Sequence, residues 1–288
     1  MQTAVSRQDD GTIELTITIP WSKIKEKYDL LFEKALATME VEGFRRGKAP
    51  KKLAEGKVDK EKVYQEVIKE VIPRFYLEAI KQENLQPIIT PKIELLKAKE
   101  NKDWQFKAIL CEKPAVELGD YKKAIQELKQ AKRTKIWIPG KTKEPNNQTT
   151  KQPKPSLNEV LDMVLKVTKV KIPQILLEEQ VNRRLTDLLD QTQKLGLTID
   201  QYLKAKGKTA EQLKEEYKKE AEKTLSLEFV LEKITEEEKI TVSNQEINQF
   251  LNQEKDKKVQ EQLKTQKYYL ASLLRRQKTL DHVKSLVD

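Results

Sequence analysis

Cysteine and histidine are almost absent from this chain of 288 residues, which holds one of each, Cys111 and His282. A lone cysteine excludes an internal disulfide and any cysteine-cluster metal site. A lone histidine leaves histidine-dependent catalysis without its usual supporting set. Glu112 follows Cys111 directly, and a neighbouring carboxylate disfavours the thiolate that a nucleophile needs. His282, in the last helical pattern, reads as a surface or packing residue rather than a ligand. Glycine is scarce as well, and neither a G-x-x-x-x-G-K-[ST] nor a G-x-G-x-x-G phosphate loop occurs. No stretch stays apolar for about 18 residues, the length of a membrane span. The opening "MQTAVSRQDDGTIELTITIP" has acidic residues where a signal peptide needs an apolar run, so the expectation is a soluble, cytosolic protein with no membrane association. Carboxylate neighbours such as Glu178 with Glu179, or the run Glu236 to Glu238, fall in helical patterns and read as solvated faces rather than acid–base pairs. Neither an enzyme site nor a cofactor or metal is expected.

Charge is abundant. Charged residues make up 35% of the chain against 37% hydrophobic, with a net charge of +10. Such a balance means a large surface relative to the core and points to an anionic partner, or, if the lysines are evenly spread, to solubility alone. The length allows two ordinary domains, each with its own core.

The first module reads as mixed α and β. In "TIELTITI" (12–19), Ile13, Leu15, Ile17 and Ile19 alternate with polar residues, the pattern of a half-buried strand. After Pro20 the period changes. Ile24, Tyr28, Leu31, Ala35 and Met39 form one helical stripe, and Val63, Val67, Val71, Phe75 and Ala79 form a second. Pro73 lies inside the second pattern and is expected to kink that helix or to start its second half. "KIELLKA" and "DWQFKAIL" flank the polar turn "KENK", a hairpin with Trp104, Phe106, Ala108 and Leu110 on one face. Residues 116–136 carry only weak patterns. Between Trp137 and Pro155 stand four of the eleven prolines and almost nothing apolar, which marks a linker.

From Ser156 onward the chain is expected to be helical apart from one short extended piece. Four starts, "SLNE" at 156, "TIDQ" at 198, "TAEQ" at 209 and "SNQE" at 243, match the S/T-x-x-E/Q capping box, and Gly196 and Gly207 stand where C-terminal caps belong. Apolar stripes follow through Leu177, Val181, Leu185 and Leu188; through Leu213, Tyr217, Ala221 and Leu225; and through Leu270, Leu273, Leu280 and Val283. Helical hairpins or arms are the natural product.

One stretch stands outside these periodicities. "GFRRGKAP" (43–50) places an aromatic and three cations between two glycines and a proline, in the connection between the first two helices. Gly43 and Gly47 can take positive φ, and Pro50 stiffens the exit. Arg45, Arg46 and Lys48 suit phosphate or carboxylate, and Phe44 can fill a pocket or stack on a base. Equally, this is a helix-to-helix turn whose Phe44 tucks back onto its own core.

The stretch resembles the ribosome-binding signature of trigger factor, a bacterial chaperone family whose pattern is G-F-R-x-G-K-x-P, and every fixed position is met. The resemblance runs from "IELTITIPWSKIKEKYDLLFEKA" to "FKAILCEKPAVELGDY" and resumes from "KIPQILLEEQVNRRL" to the last helix. It implies ribosome docking through Gly43, Phe44, Arg45, Arg46, Gly47, Lys48 and Pro50, against large-subunit protein and rRNA beside the exit tunnel. It also implies ATP-independent holding of nascent or unfolded polypeptides during folding and export. Trigger factors usually insert a prolyl isomerase domain of the FK506-binding type between these parts. Residues 141–171 here contain no glycine or aromatic, so that domain does not fit, and the first arm is shortened to "LNEVLDMVLKVTKV".

The expected architecture is therefore α+β and elongated: an N-terminal ribosome-binding module with an antiparallel sheet and long helices (1–115), a connecting segment with a proline-rich linker (116–155), and an all-α substrate-binding arm domain (156–288). The expected partners are the ribosomal large subunit and unfolded chains, with no DNA. Two rivals stand beside this reading, a holdase that never docks and a general RNA-binding protein using lysine-rich helices.

Overall fold

The computed structural model describes residues 1–39, 44, 50, 53, 55–134, 154–253, 263 and 266–287. The chain divides into two compact units, Met1–Lys113 with Pro173–Glu178, and Pro114–Ile172 with Glu179–Asp288.

In the first unit, strands β1 (Gln2–Arg7), β2 (Thr12–Ile19), β3 (Lys92–Lys97) and β4 (Trp104–Cys111) form an antiparallel sheet in the order β1-β2-β4-β3. The alternation seen in the sequence sets the central register. Ile13, Leu15, Ile17 and Ile19 lie opposite Leu110, Ala108, Phe106 and Trp104, and all eight are buried. Two helices cover this face, α1 (Trp21–Thr38) and α2 (Lys60–Gln82), contributing Ile24 from α1 and Val63, Val67, Val71, Phe75 and Ala79 from α2 to the core. Tyr28 packs against Tyr64 with ring centroids 4.6 Å apart, and Tyr64 in turn meets Trp104 at 6.0 Å. The β3–β4 turn falls on "KENK", where Asn101 takes φ 59° and the N–H of Lys102 donates to the carbonyl of Lys99.

Pro73 does not divide its helix. α2 continues through it as a single element from Lys60 to Gln82. The buried side chains on both sides of the proline, Val71, Ile72 and Phe75, anchor the two halves to one core, and this packing outweighs the loss of a single backbone donor.

The second unit contains α3 (Tyr121–Thr134), α4 (Leu157–Val167), most of α5 (Gln174–Lys194), α6 (Ile199–Lys206), α7 (Ala210–Glu237), α8 (Asn244–Gln253) and α9 (Lys267–Ser285). A two-residue ladder pairs β5 (Val116–Glu117) with β6 (Lys169–Val170). All four capping boxes form. The side chains of Ser156, Thr198 and Thr209 each accept from the N3 backbone N–H while their own backbone N–H donates to the N3 side chain, and Ser243 exchanges the same pair with Glu246. Gly196 and Gly207 sit at φ 69° and 64°. Two carboxylates of these boxes also gain a lysine. Lys132 and then Ser156 push Glu159 down to about 2, and Lys278 and then Ser243 do the same for Glu246. One core joins Tyr121 and Ile125 of α3 with Val160 and Val164 of α4, Val230 and Ile234 of α7, and Val283 of α9.

Among the described residues no helix is long and apolar enough to cross a membrane.

Candidate functional site

The loop singled out in the sequence lies between the end of α1 at Thr38 and the start of α2 at Lys60, where Asp59 caps the new helix by accepting from the N–H groups of Glu61 and Lys62. Gly43, Arg45, Arg46, Gly47 and Lys48 lie outside the described residues. Phe44 is 44% exposed and is not one of the side chains packed into the first unit's core. Pro50 is exposed, and its carbonyl accepts from the N–H of Leu53 at 3.0 Å. The connection is carried by helices fixed to each other and to the sheet, with Lys27 of α1 paired to Glu70 of α2.

From α5 onward, most of the apolar stripes are used in packing. Leu177, Val181, Leu188, Leu213, Ala221, Leu225, Leu270 and Val283 are buried, and of the residues in these stripes only Leu273 is exposed. Exposure falls instead on apolar residues outside the stripes. Leu195, 74% exposed, and Leu197 flank Gly196 at the end of α5, while Tyr268, 95% exposed, and Tyr269 begin α9. Sequence periodicity passed over these positions because each interrupts a pattern rather than continuing one. Their signal was an apolar pair beside a cap glycine and two consecutive tyrosines next to a lysine. A cleft of about 370 Å³ lies between α7 and α9, lined by Glu228, Leu231, Thr235, Tyr269, Leu273 and Arg276 among others.

The titratable groups set aside in the sequence have structural surroundings. Cys111 is buried and forms no disulfide. His282 stands on α9 with its Nε2 3.7 Å from Glu238 Oε2. Glu238 Oε1 accepts from the Tyr121 hydroxyl at 2.8 Å and from Lys122 Nζ at 2.7 Å. Lys122 and Tyr121 hold the Glu238 carboxyl below the usual carboxylate range, and burial, together with the Glu238 bond, pushes the Tyr121 hydroxyl up. This cluster ties α3 and α9 to the residue that ends α7. Among the described residues no group of three or more His, Cys, Asp or Glu side chains is placed to hold a metal ion.

An antiparallel sheet covered by two helices, followed along the chain by a series of capped helices, makes this an α+β protein. Residues 1–136 match the family model described as bacterial trigger factor protein, and residues 141–285 match that of the bacterial trigger factor C-terminus. The chain belongs to the bacterial trigger factor family. Only residues 137–140 separate the two matches, which leaves no length for an inserted domain. Trigger factor of Staphylococcus epidermidis is 34% identical over 108 residues, and that of Staphylococcus aureus 35% over 108 residues, in each case 38% of this chain and 25% of the relative. The chain thus matches about a quarter of the length of these curated relatives. A solved structure described as promiscuous substrate recognition in folding and assembly activities of the trigger factor chaperone superposes with a TM-score of 0.63 over the whole of both chains. At 12% identity it shows a shared fold.

Proposed function

We propose that this protein is an ATP-independent cytoplasmic chaperone that docks at the ribosomal exit tunnel and holds nascent or unfolded polypeptides. In this reading residues 1–115 dock, 116–155 connect, and 156–288 hold clients, without prolyl isomerase activity. The observation that carries it is the complete signature at Gly43, Phe44, Arg45, Gly47, Lys48 and Pro50 in the connection between two packed helices, with Phe44 half exposed. The net charge of +10 favours encounter with rRNA, and Arg45, Arg46 and Lys48 can then fix position by charge-assisted hydrogen bonds.

Cosedimentation with ribosomes tests the docking. Replacing Phe44, Arg45 and Arg46 together by alanine should weaken ribosome affinity at least about tenfold, because two charge-assisted contacts of about 1.5 kcal/mol each already exceed that loss. Far-UV circular dichroism should not change. A folded triple variant that sediments undiminished removes the docking role.

A further inference from the structure

The sheet of the first unit has two edge strands, β1 and β3, and β3 is the one that carries large exposed apolar side chains. β3 pairs with β4 alone, so among the described residues the other row of β3 backbone N–H and C=O groups belongs to no ladder. The side chains along this edge are unusual for a rim. Ile93 and Leu95 stand opposite Ala108 and Phe106, which are fully buried, and therefore lie on the core side of the sheet. Even so they are 37% and 44% exposed, and Leu96, at the register shift between Leu95 and Lys97, is 49% exposed. The opposite side carries a small excess of lysine: Lys92 and Lys107 bridge Glu94 at 3.1 and 3.6 Å, Lys107 also reaches Glu14 at 3.4 Å, and Lys97 follows on the edge strand.

A second copy of the chain is a poor occupant. Pairing β3 with itself would bring two sets of these lysines together, and like charges across neighbouring strands are destabilising. Lysine on an edge is a common device against such self-pairing. The same charges favour an unlike strand that carries carboxylates. We infer that β3 takes up an extended segment of an unfolded polypeptide as a fifth strand, with apolar side chains meeting Ile93 and Leu95 on one face and acidic side chains meeting Lys92 and Lys97 on the other. Backbone pairing accepts any sequence, while the apolar and acidic alternation supplies preference. The inference rests on the reading of this protein as a holder of unfolded chains, and adds where and in what conformation one class of segment is held.

The test uses the full chain and a fluorescent peptide of about six residues alternating valine with glutamate, followed by anisotropy. Binding should be saturable. It should weaken about tenfold or more when lysine replaces glutamate in the peptide, when alternate peptide amides are N-methylated, or when the protein carries Ile93→Thr with Leu95→Thr. The peptide comparisons use the unaltered protein and stand even if the double variant fails to fold. Equal binding of the N-methylated peptide, or unchanged binding by a folded double variant, overturns the inference. So does a dimer that excludes the peptide and dissociates on the same double substitution, since it gives the edge to a second copy. If the chain suppresses aggregation of a refolding protein yet binds no peptide, only the role of β3 fails. If it suppresses nothing, the holding function itself fails.

Discussion

Asp10 Oδ2 accepts the backbone N–H of Gln174 at 2.9 Å across a sequence separation of 164, binding the first turn of α5 into the N-terminal unit. The same carboxylate accepts from the Thr12 N–H and the Thr12 hydroxyl, both at 2.9 Å. Asp10 thus serves as a helix cap supplied from a distant loop.

Burial works against the charged form of Asp10, but the N–H groups of Thr12 and Gln174 and the Thr12 hydroxyl outweigh it and hold the carboxyl below its ordinary value. Because the folded value lies below the unfolded one of about 3.9, the stabilisation is complete above that pH and is lost as pH falls through the folded value. Asp10→Ala should cost about 1 kcal/mol at neutral pH, the usual worth of a cap. The deficit should shrink below about pH 4. Urea unfolding followed by tryptophan fluorescence over a pH series measures both, and parallel pH profiles for the two proteins would contradict the assignment.

Gly119 lies so close to the Val167 carbonyl that an added Cβ would overlap the oxygen and force backbone to move. Gly119→Ala should therefore destabilise the second unit by about 1–3 kcal/mol, as overpacking does elsewhere. Gly207→Ala provides a contrast, since open space surrounds its Cβ position and its cost comes from a φ of 64° instead. Thermal unfolding of the two variants, read with hydrogen exchange in β5 and β6, should find local loss of protection only for Gly119→Ala.

Client holding should depend on the apolar residues that packing leaves out. The full chain should suppress aggregation of a refolding test protein at near-stoichiometric concentration without ATP. Replacing Leu195, Leu197, Tyr268 and Tyr269 by serine should weaken this while leaving stability within about 0.5 kcal/mol at each position, since all four are exposed. Light scattering at a series of chaperone concentrations decides. Aggregation at one rate throughout that series is the adverse result.

Prolyl isomerisation should proceed at its uncatalysed rate, with a time constant of tens of seconds or slower at room temperature. Lowering a barrier of about 18–20 kcal/mol requires a pocket that holds the twisted imide. Between residue 116 and Lys171 the only aromatics are Tyr121 and Trp137, and Tyr121 is buried with its hydroxyl on Glu238. A protease-coupled assay on a proline peptide checks this. Catalysis that persists in highly purified protein and vanishes on deletion of residues 116–155 would refute it.

What the sequence determined alone was whatever depends on neighbours along the chain. The four capping boxes each close within three residues, so "SLNE", "TIDQ", "TAEQ" and "SNQE" could be read directly, and all four form. The period-two alternation of Ile13 to Ile19 and of Trp104 to Leu110 specified two strands with one buried face each. Tertiary structure alone decided which of those faces meet. Registering Ile17 on Phe106, and adding β1, whose side chains are mostly exposed, depends on pairing energies between distant segments that no local pattern carries. Helix α3 was illegible for a similar reason. Its sequence "YKKAIQELKQAKRT" offers a short apolar stripe in a strongly basic background, and it is held by Val160, Val230 and Val283 from three other helices and by the bond from Tyr121 to Glu238. Amphipathic stripes reveal that a helix will bury a face. Only packing, which fills space with whatever side chains arrive there, decides which leucines and tyrosines remain for a partner.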